Sequence, residues 1–223
     1  MSSKLPALSL LETRVLGVLV EKQHTVPDTY PLTLNALAAG CSQKTSRDPV
    51  LSVTEADVQA TVDRLRSLSL VEESSGGRVM RYAHNIERVL GVPAQAVALL
   101  ATLMLRGPQT VGELRINSDR LHRFADGSAI EAFLHELAGR SAGALVTELP
   151  RQPGARENRW THLLSGASPT ATVPAAATPP AVGSLVSPAE LAALKESVRR
   201  LEDELDALKR EVAMLREELD NKR

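Results

Sequence analysis

The one pair in this sequence that suggests catalytic metal chemistry is His135–Glu136, in the stretch FLHEL. A zinc-protease helix needs a second histidine one turn later, so that two imidazoles reach one metal from the same face. Here the position one turn on is Gly139. The five histidines, His24, His84, His122, His135 and His162, are scattered without ligand spacing. The single cysteine, Cys41, cannot build a disulfide or a multi-cysteine zinc site within one chain, and at a helix end it reads as a small packing residue. SGGR around Gly76–Gly77 reads as a hairpin turn, not as a glycine-rich strand-to-helix connection that cradles phosphate. No catalytic constellation emerges. The expectation is a protein that is not an enzyme and that carries no cofactor or metal.

The chemistry that remains is recognition of anions by cations set in loops. GCSQKTSRDPVLSVT, residues 40–54, separates two segments that read as the second and third helices of a helix-turn-helix. That turn usually takes roughly 3–4 residues, and this one is far longer. It displays Gln43, Lys44, Thr45, Ser46 and Arg47, with Asp48–Pro49 stiffening it and Val50 and Leu51 expected to pin it to the core. A second long turn, NSDRLHRFADG, carries Arg120 and Arg123. Arg78 and Arg81 flank one predicted hairpin turn; Arg151, Arg156 and Arg159 flank another. These twelve positions are the candidate contacts to phosphate or to a partner. Ordinary solvated arginines paired with Asp48, Asp119 and Glu157 are the competing reading.

Composition limits what such contacts can do. With 43% apolar and 24% charged residues and a net charge of −1, the chain lacks the strong basic excess of a dedicated nucleic-acid binder. Aromatics are 2%, too few for recognition of single strands by base stacking. The apolar run near the N-terminus is broken by Glu12 and Arg14, and no apolar stretch reaches membrane-spanning length. A cytoplasmic location is expected.

The elements that must position these cations are legible from their starts. A Ser or Thr answered three residues later by an acid forms a capping box, and the pattern occurs at Ser9–Glu12, Thr54–Asp57, Thr110–Glu113, Ser128–Glu131 and Ser187–Glu190. Leu11, Val15, Val18 and Leu19 mark one face of the first helix, and Val58, Val62, Leu65 and Leu68 one face of the third. β-prone runs on either side of Gly76–Gly77 read as a hairpin. The order is helix, helix, helix, hairpin. It recurs from Pro93, with ALVTEL and NRWTHLL as the second hairpin.

The fold class is therefore mainly α with small β-hairpins (α+β): two tandem winged-helix domains at 5–90 and 91–164. Residues 165–187, rich in Pro, Ala, Ser and Thr, read as a disordered linker. Residues 188–221 read as a coiled-coil helix. Its apolar seam is Leu191, Leu194, Val198, Leu201, Leu205, Leu208, Val212, Leu215 and Leu219, with spacings alternating three and four. In a parallel pair Glu190 meets Lys195, Glu204 meets Lys209 and Glu211 meets Arg216, whereas an antiparallel pair sets Glu against Glu. A parallel homodimer is expected, with a trimer left open because no buried polar residue fixes the number of strands.

YPLTLNALAAGCSQKTSRDPVLSVTEADVQATVDRLRSLSLV and LMLRGPQTVGELR together resemble the YceH-like family of uncharacterised bacterial proteins, over roughly residues 5–164. The resemblance implies two tandem winged-helix domains in the cytoplasm and implies no activity. The linker and the zipper lie outside it, which points to dimerisation peculiar to this chain. Two functions follow as expectations. The leading one is a dimeric DNA-associated protein, a regulator of transcription, that touches phosphates through the long turns and wings. The other is an adaptor that docks a partner protein. Acids at the start of both third helices, Glu55, Asp57 and Glu131, count against reading of the major groove.

Overall fold

Side-chain caps fix where the helices begin. Ser9 starts helix α1 (Leu10–Thr25): its Oγ accepts from the Glu12 N–H at 3.2 Å, and the Glu12 carboxylate accepts from the Ser9 N–H at 2.6 Å. Thr54 with Asp57 does the same for α3 (Glu55–Ser67), and Thr110 with Glu113 for α6 (Val111–Ser118). Each such cap contributes about 1 kcal/mol. The box expected at Ser128–Glu131 is not formed. Helix α7 (Gly127–Ala138) begins earlier, and Asp126 is its cap, with Oδ1 accepting from the Ala129 N–H at 3.0 Å and from Ser128 Oγ at 2.7 Å. A carboxylate at the positive end of the helix dipole wins over a hydroxyl two residues further in.

The computed structural model describes residues 5–75, 79–151 and 155–166. Residues 167–187 of the linker, the heptad segment with its Ser187–Glu190 box, and Arg78 lie outside the described residues. Within them the fold is mixed α+β, with seven α-helices and two small antiparallel sheets. Strand β1 (Leu32–Thr33) runs into α2 (Leu34–Cys41), then α3, β2 (Val71–Ser74) and β3 (Arg81–His84). The sheet order is β1-β3-β2, with Leu32 opposite Tyr82 and Val71 opposite His84. A short α4 (Ile86–Leu90) leads to α5 (Ala94–Arg106), α6, α7, β4 (Val146–Leu149) and β5 (Arg159–His162). Val146 stands opposite His162, and Gln109 exchanges both backbone hydrogen bonds with Trp160, at 3.0 and 2.7 Å. That bridge occupies in the second half the place of β1 in the first.

Helix α1 is not the one-faced helix its periodicity suggests. Every residue from Glu12 to Val20 is buried, Arg14 included, because α2 and α3 pack on one side and α5 on the other. A helix covered all round loses its amphipathic pattern. Two glycines allow the close approach. A Cβ on Gly17 would meet the Leu105 side chain of α5 at 2.9 Å, and one on Gly40 of α2 would meet Val18 at 2.6 Å. Helix α5 is likewise buried from Ala96 to Leu105. The two halves share a single apolar core, and their described residues lie within one compact unit. No helix among the described residues is long and apolar enough to cross a membrane.

Candidate functional site

The long turn between α2 and α3 is organised around two buried arginines. Arg47 is 6% exposed. Its guanidinium donates to both oxygens of Glu21 in α1, at 3.3 and 2.5 Å, and to the carbonyls of Gly40 and Ser46. Arg14 reaches from α1 to the carbonyls of Cys41 and Pro49, at 3.4 and 2.6 Å. Burial pushes the Glu21 carboxyl up, but the hydrogen bonds and charge of Arg47, with Lys22 beside them, outweigh it and hold the group below its ordinary pKa. Burial, and then the neighbouring Arg47, lower the pKa of Arg14. Burial pushes the Cys41 thiol up to about 12 against the pull of both arginines, so Cys41 is an inert packing residue.

This corrects the expectation of a displayed basic loop. Lys44 and Thr45 are exposed, but Arg47 points inward and Gln43 accepts from it at 3.3 Å. Ser46 accepts from Arg106 of α5 at 2.7 Å, and the Asp48 N–H donates to the Leu105 carbonyl at 2.8 Å. Of the pair expected to anchor the turn, Val50 is 56% exposed and Leu51 is half-buried. Polar contacts to α1 and α5 hold the turn where apolar side chains were expected to.

The hairpin arginines divide in the same way. Arg81 donates to the carbonyls of Thr29 and Pro31, at 3.2 and 2.8 Å. Arg159 donates to the Pro108 carbonyl at 2.7 Å and to Glu113 at 2.9 Å. Pro31 and Pro108 each stand two residues before a capping threonine, Thr33 or Thr110. One structural contact therefore recurs in both halves, and neither arginine is freely presented. Arg151 and Arg156 are exposed and make no ion pair among the described residues. Arg120 is exposed, and Arg123 lies 3.5 Å from Asp119. On α3, Arg64 sits 2.5 Å from Glu12 without hydrogen-bond geometry, and Arg66 pairs with Asp63 and Glu73; Glu55 and Asp57 are exposed, Glu55 accepting from Asn35 at 2.8 Å and Asp57 from the Thr54 N–H at 2.9 Å.

In the second half, a groove of about 640 Å³ opens between α6, α7 and the β4–β5 hairpin. Trp160 lines it edge-on to His135, with ring centres 5.3 Å apart. Arg115, Arg151, Arg156, Glu131, Glu148 and Glu157 surround it. Glu148 is engaged by Asn158 at 2.8 Å. A hollow of about 430 Å³ between the start of α1 and the middle of α3 has mostly apolar walls, and its charged groups, Glu12 and Arg64, face each other. Among the described residues, no three His, Cys, Asp or Glu side chains gather to hold a metal ion.

Reading the chain for turns missed this groove. A residue-level match between the halves points to it: PLTLNAL against PQTVGEL, and RYAH against RWTH. These put Leu37 with Leu114, both fully buried, Tyr82 with Trp160, and His84 with His162. Burial, with the charge of His24 added for His84, pushes both histidines down to about 4.

A family model described as a protein of unknown function, DUF480, matches residues 8–155. A UPF0502 protein of Dechloromonas aromatica (strain RCB) is 66% identical over 166 residues, which is 74% of this chain and 78% of that one. UPF0502 proteins of Burkholderia orbicola (strain MC0-3) and Burkholderia vietnamiensis (strain G4 / LMG 22486) are 59% and 60% identical over 198 residues, 89% of this chain and 83% of each of theirs. That span is longer than residues 1–164 can supply. The likeness therefore continues into the C-terminal segment, which the sequence reading had set outside it.

Proposed function

The chain belongs to the DUF480 family of bacterial proteins, and from that premise we propose that it is a cytoplasmic, non-enzymatic adaptor built on two winged helices. Its three-helix-and-hairpin halves serve to dock a partner protein. The heptad seam after residue 188 joins two such heads in a parallel dimer, which raises avidity for a partner that offers two sites.

The observation that carries this reading is where the basic side chains are spent. Of the cations expected to meet phosphate, Arg47 is bonded to Glu21 and backbone carbonyls, and Arg81 and Arg159 brace the strands. The outer start of α3 presents Glu55 and Asp57. A polyanion approaching that helix meets carboxylates, whereas a protein surface can supply donors to them.

A second reading, duplex DNA held by its backbone, is favoured by one observation: Lys44, Arg120, Arg151 and Arg156 are exposed on turns and on a hairpin. Fluorescence anisotropy of the full chain against mixed-sequence duplex DNA across a salt series separates the two. The adaptor reading expects no salt-sensitive binding at physiological ionic strength. Tight binding that falls steeply with salt would replace it with the phosphate clamp.

A further inference from the structure

After its last strand the chain is led to the rim of a hollow. The Leu8 N–H donates to the Leu164 carbonyl at 2.8 Å, and the Gly166 N–H turns back to the Leu163 carbonyl at 3.0 Å. Gly166 has φ 86°, and a Cβ there would stand 3.7 Å from the Cβ of Ala7. Ala7 is also a wall of the hollow of about 430 Å³, which Ala60 and Thr61 of α3 line as well. The segment that starts at Ala167 is therefore delivered to this hollow by the fold itself.

The walls define what can fill it. Ala7, Ala60 and Thr61 are short, and the charges of Glu12 and Arg64 offset each other. One polar demand is left over. Glu12 is 3% exposed, and its Oε2 accepts from the Ser9 N–H, but its Oε1 makes no hydrogen bond among the described residues. A buried carboxylate oxygen without a donor is costly. The matching occupant is uncharged, slim and able to donate an N–H or O–H. Residues 167–173, ASPTATV, meet all three conditions: Ser168, Thr170 and Thr172 carry hydroxyls, and Val173 adds an apolar end. Extended, such a segment reaches roughly 20 Å, several times the width of the hollow. The residues before Leu5 bring the charge of Lys4 and match it less well.

We propose that residues 167–173 dock in the hollow between the start of α1 and the middle of α3 of their own chain, with one of their N–H or O–H groups donating to Glu12 Oε1. Docking moves the point where the tether leaves the head from Gly166 to Pro174. Only residues 174–187 then span to the heptad segment. A shorter tether narrows the spacing of paired sites that two joined heads can engage at once. The docking holds whether the heads bind protein or DNA.

The test is cross-linking within the full chain. Ala60→Cys is combined with either Val173→Cys or Val182→Cys, and closure by a short bismaleimide is timed by mass spectrometry; Cys41 is buried and stays unmodified. A tether that follows flexible-chain statistics from Gly166 would close about threefold faster at position 173 than at 182. Docking is expected to raise that ratio to ~tenfold or more. Thr61→Phe gives α3 the side chain that Phe133 supplies at the same distance from the cap of α7. It should fill the hollow and return the ratio to about threefold. If that variant does not fold, the two cysteine pairs decide alone. A ratio of about threefold in the unblocked chain would overturn the docking. Products joined between two chains would seat the second copy's segment in the hollow and overturn docking within one chain.

Discussion

The two long turns occupy the same place in the two halves and are held by opposite means. In the first half, residues 42–54 wrap around the buried guanidinium of Arg47 and its partner Glu21. In the second, residues 119–126 close over Phe124, which is 7% exposed and packs edge-on against both His122 and Phe133. An apolar plug needs only a pocket. An ion pair needs a specific partner on another helix, so the first turn is tied to α1 and, through Ser46 and Asp48, to α5. The first half has thus become the part that locks the molecule together, and the second keeps an open groove.

The largest effect should come from breaking that lock. Arg47→Ala leaves Glu21 with only Lys22, 3.3 Å away, and should cost about 3 kcal/mol in urea unfolding. Glu21→Leu/Arg47→Met should recover much of that loss, because no charge is left uncompensated. Phe124→Ala should cost about 3 kcal/mol, with no partner change that restores it. Equal rescue in both turns would erase the contrast.

Comparable for each histidine is a pH effect that the halves should share. His84 and His162 hold their folded pKa values at about 4, below the ordinary 6.5. The unfolded chain therefore binds more protons between those limits. Stability should be complete above pH 6.5 and fall as pH drops toward 4, by up to about 3 kcal/mol per histidine. Replacing either histidine with Gln should remove close to half of the slope, measured as unfolding free energy against pH. A slope unchanged in both variants would assign the acid sensitivity to other groups.

A smaller effect separates the two caps in the start of α7. Asp126→Ala should cost about 1 kcal/mol, and Ser128→Ala only a few tenths. The reverse order would restore the box read from the sequence. Smallest of all, Lys44→Ala should leave stability within about 0.5 kcal/mol, beside the large loss for Arg47 three residues away.

Much of the scaffold was legible because caps and turns act locally. Ser9, Thr54 and Thr110 announce three helices, and Gly107, with φ 73°, closes α5 where the sequence shows Gly-Pro. Tertiary context decided the rest. Nothing near Arg47 in the chain says that Glu21 lies within reach, so a cation in a polar turn reads as displayed. Arg14 looks like an interruption of an apolar run and is instead a buried tether for that turn. Asp126 escaped notice because Ser128 offered a complete capping pattern two residues later. The groove was readable only by comparing the halves residue by residue, where Asn35 gives way to Gly112 and, counted from the caps Thr54 and Asp126, Glu55 to Gly127.

That the first half supports the second depends on the two unfolding as one body, and the aromatic residues allow this to be measured directly. Trp160 is the only tryptophan and lies in the second half; both tyrosines, Tyr30 and Tyr82, lie in the first. Urea unfolding followed by tryptophan fluorescence and by near-ultraviolet tyrosine signal should give coincident transitions, since α1 and α5 share one core. A tryptophan transition separated from the tyrosine transition would show two independent halves and contradict this account.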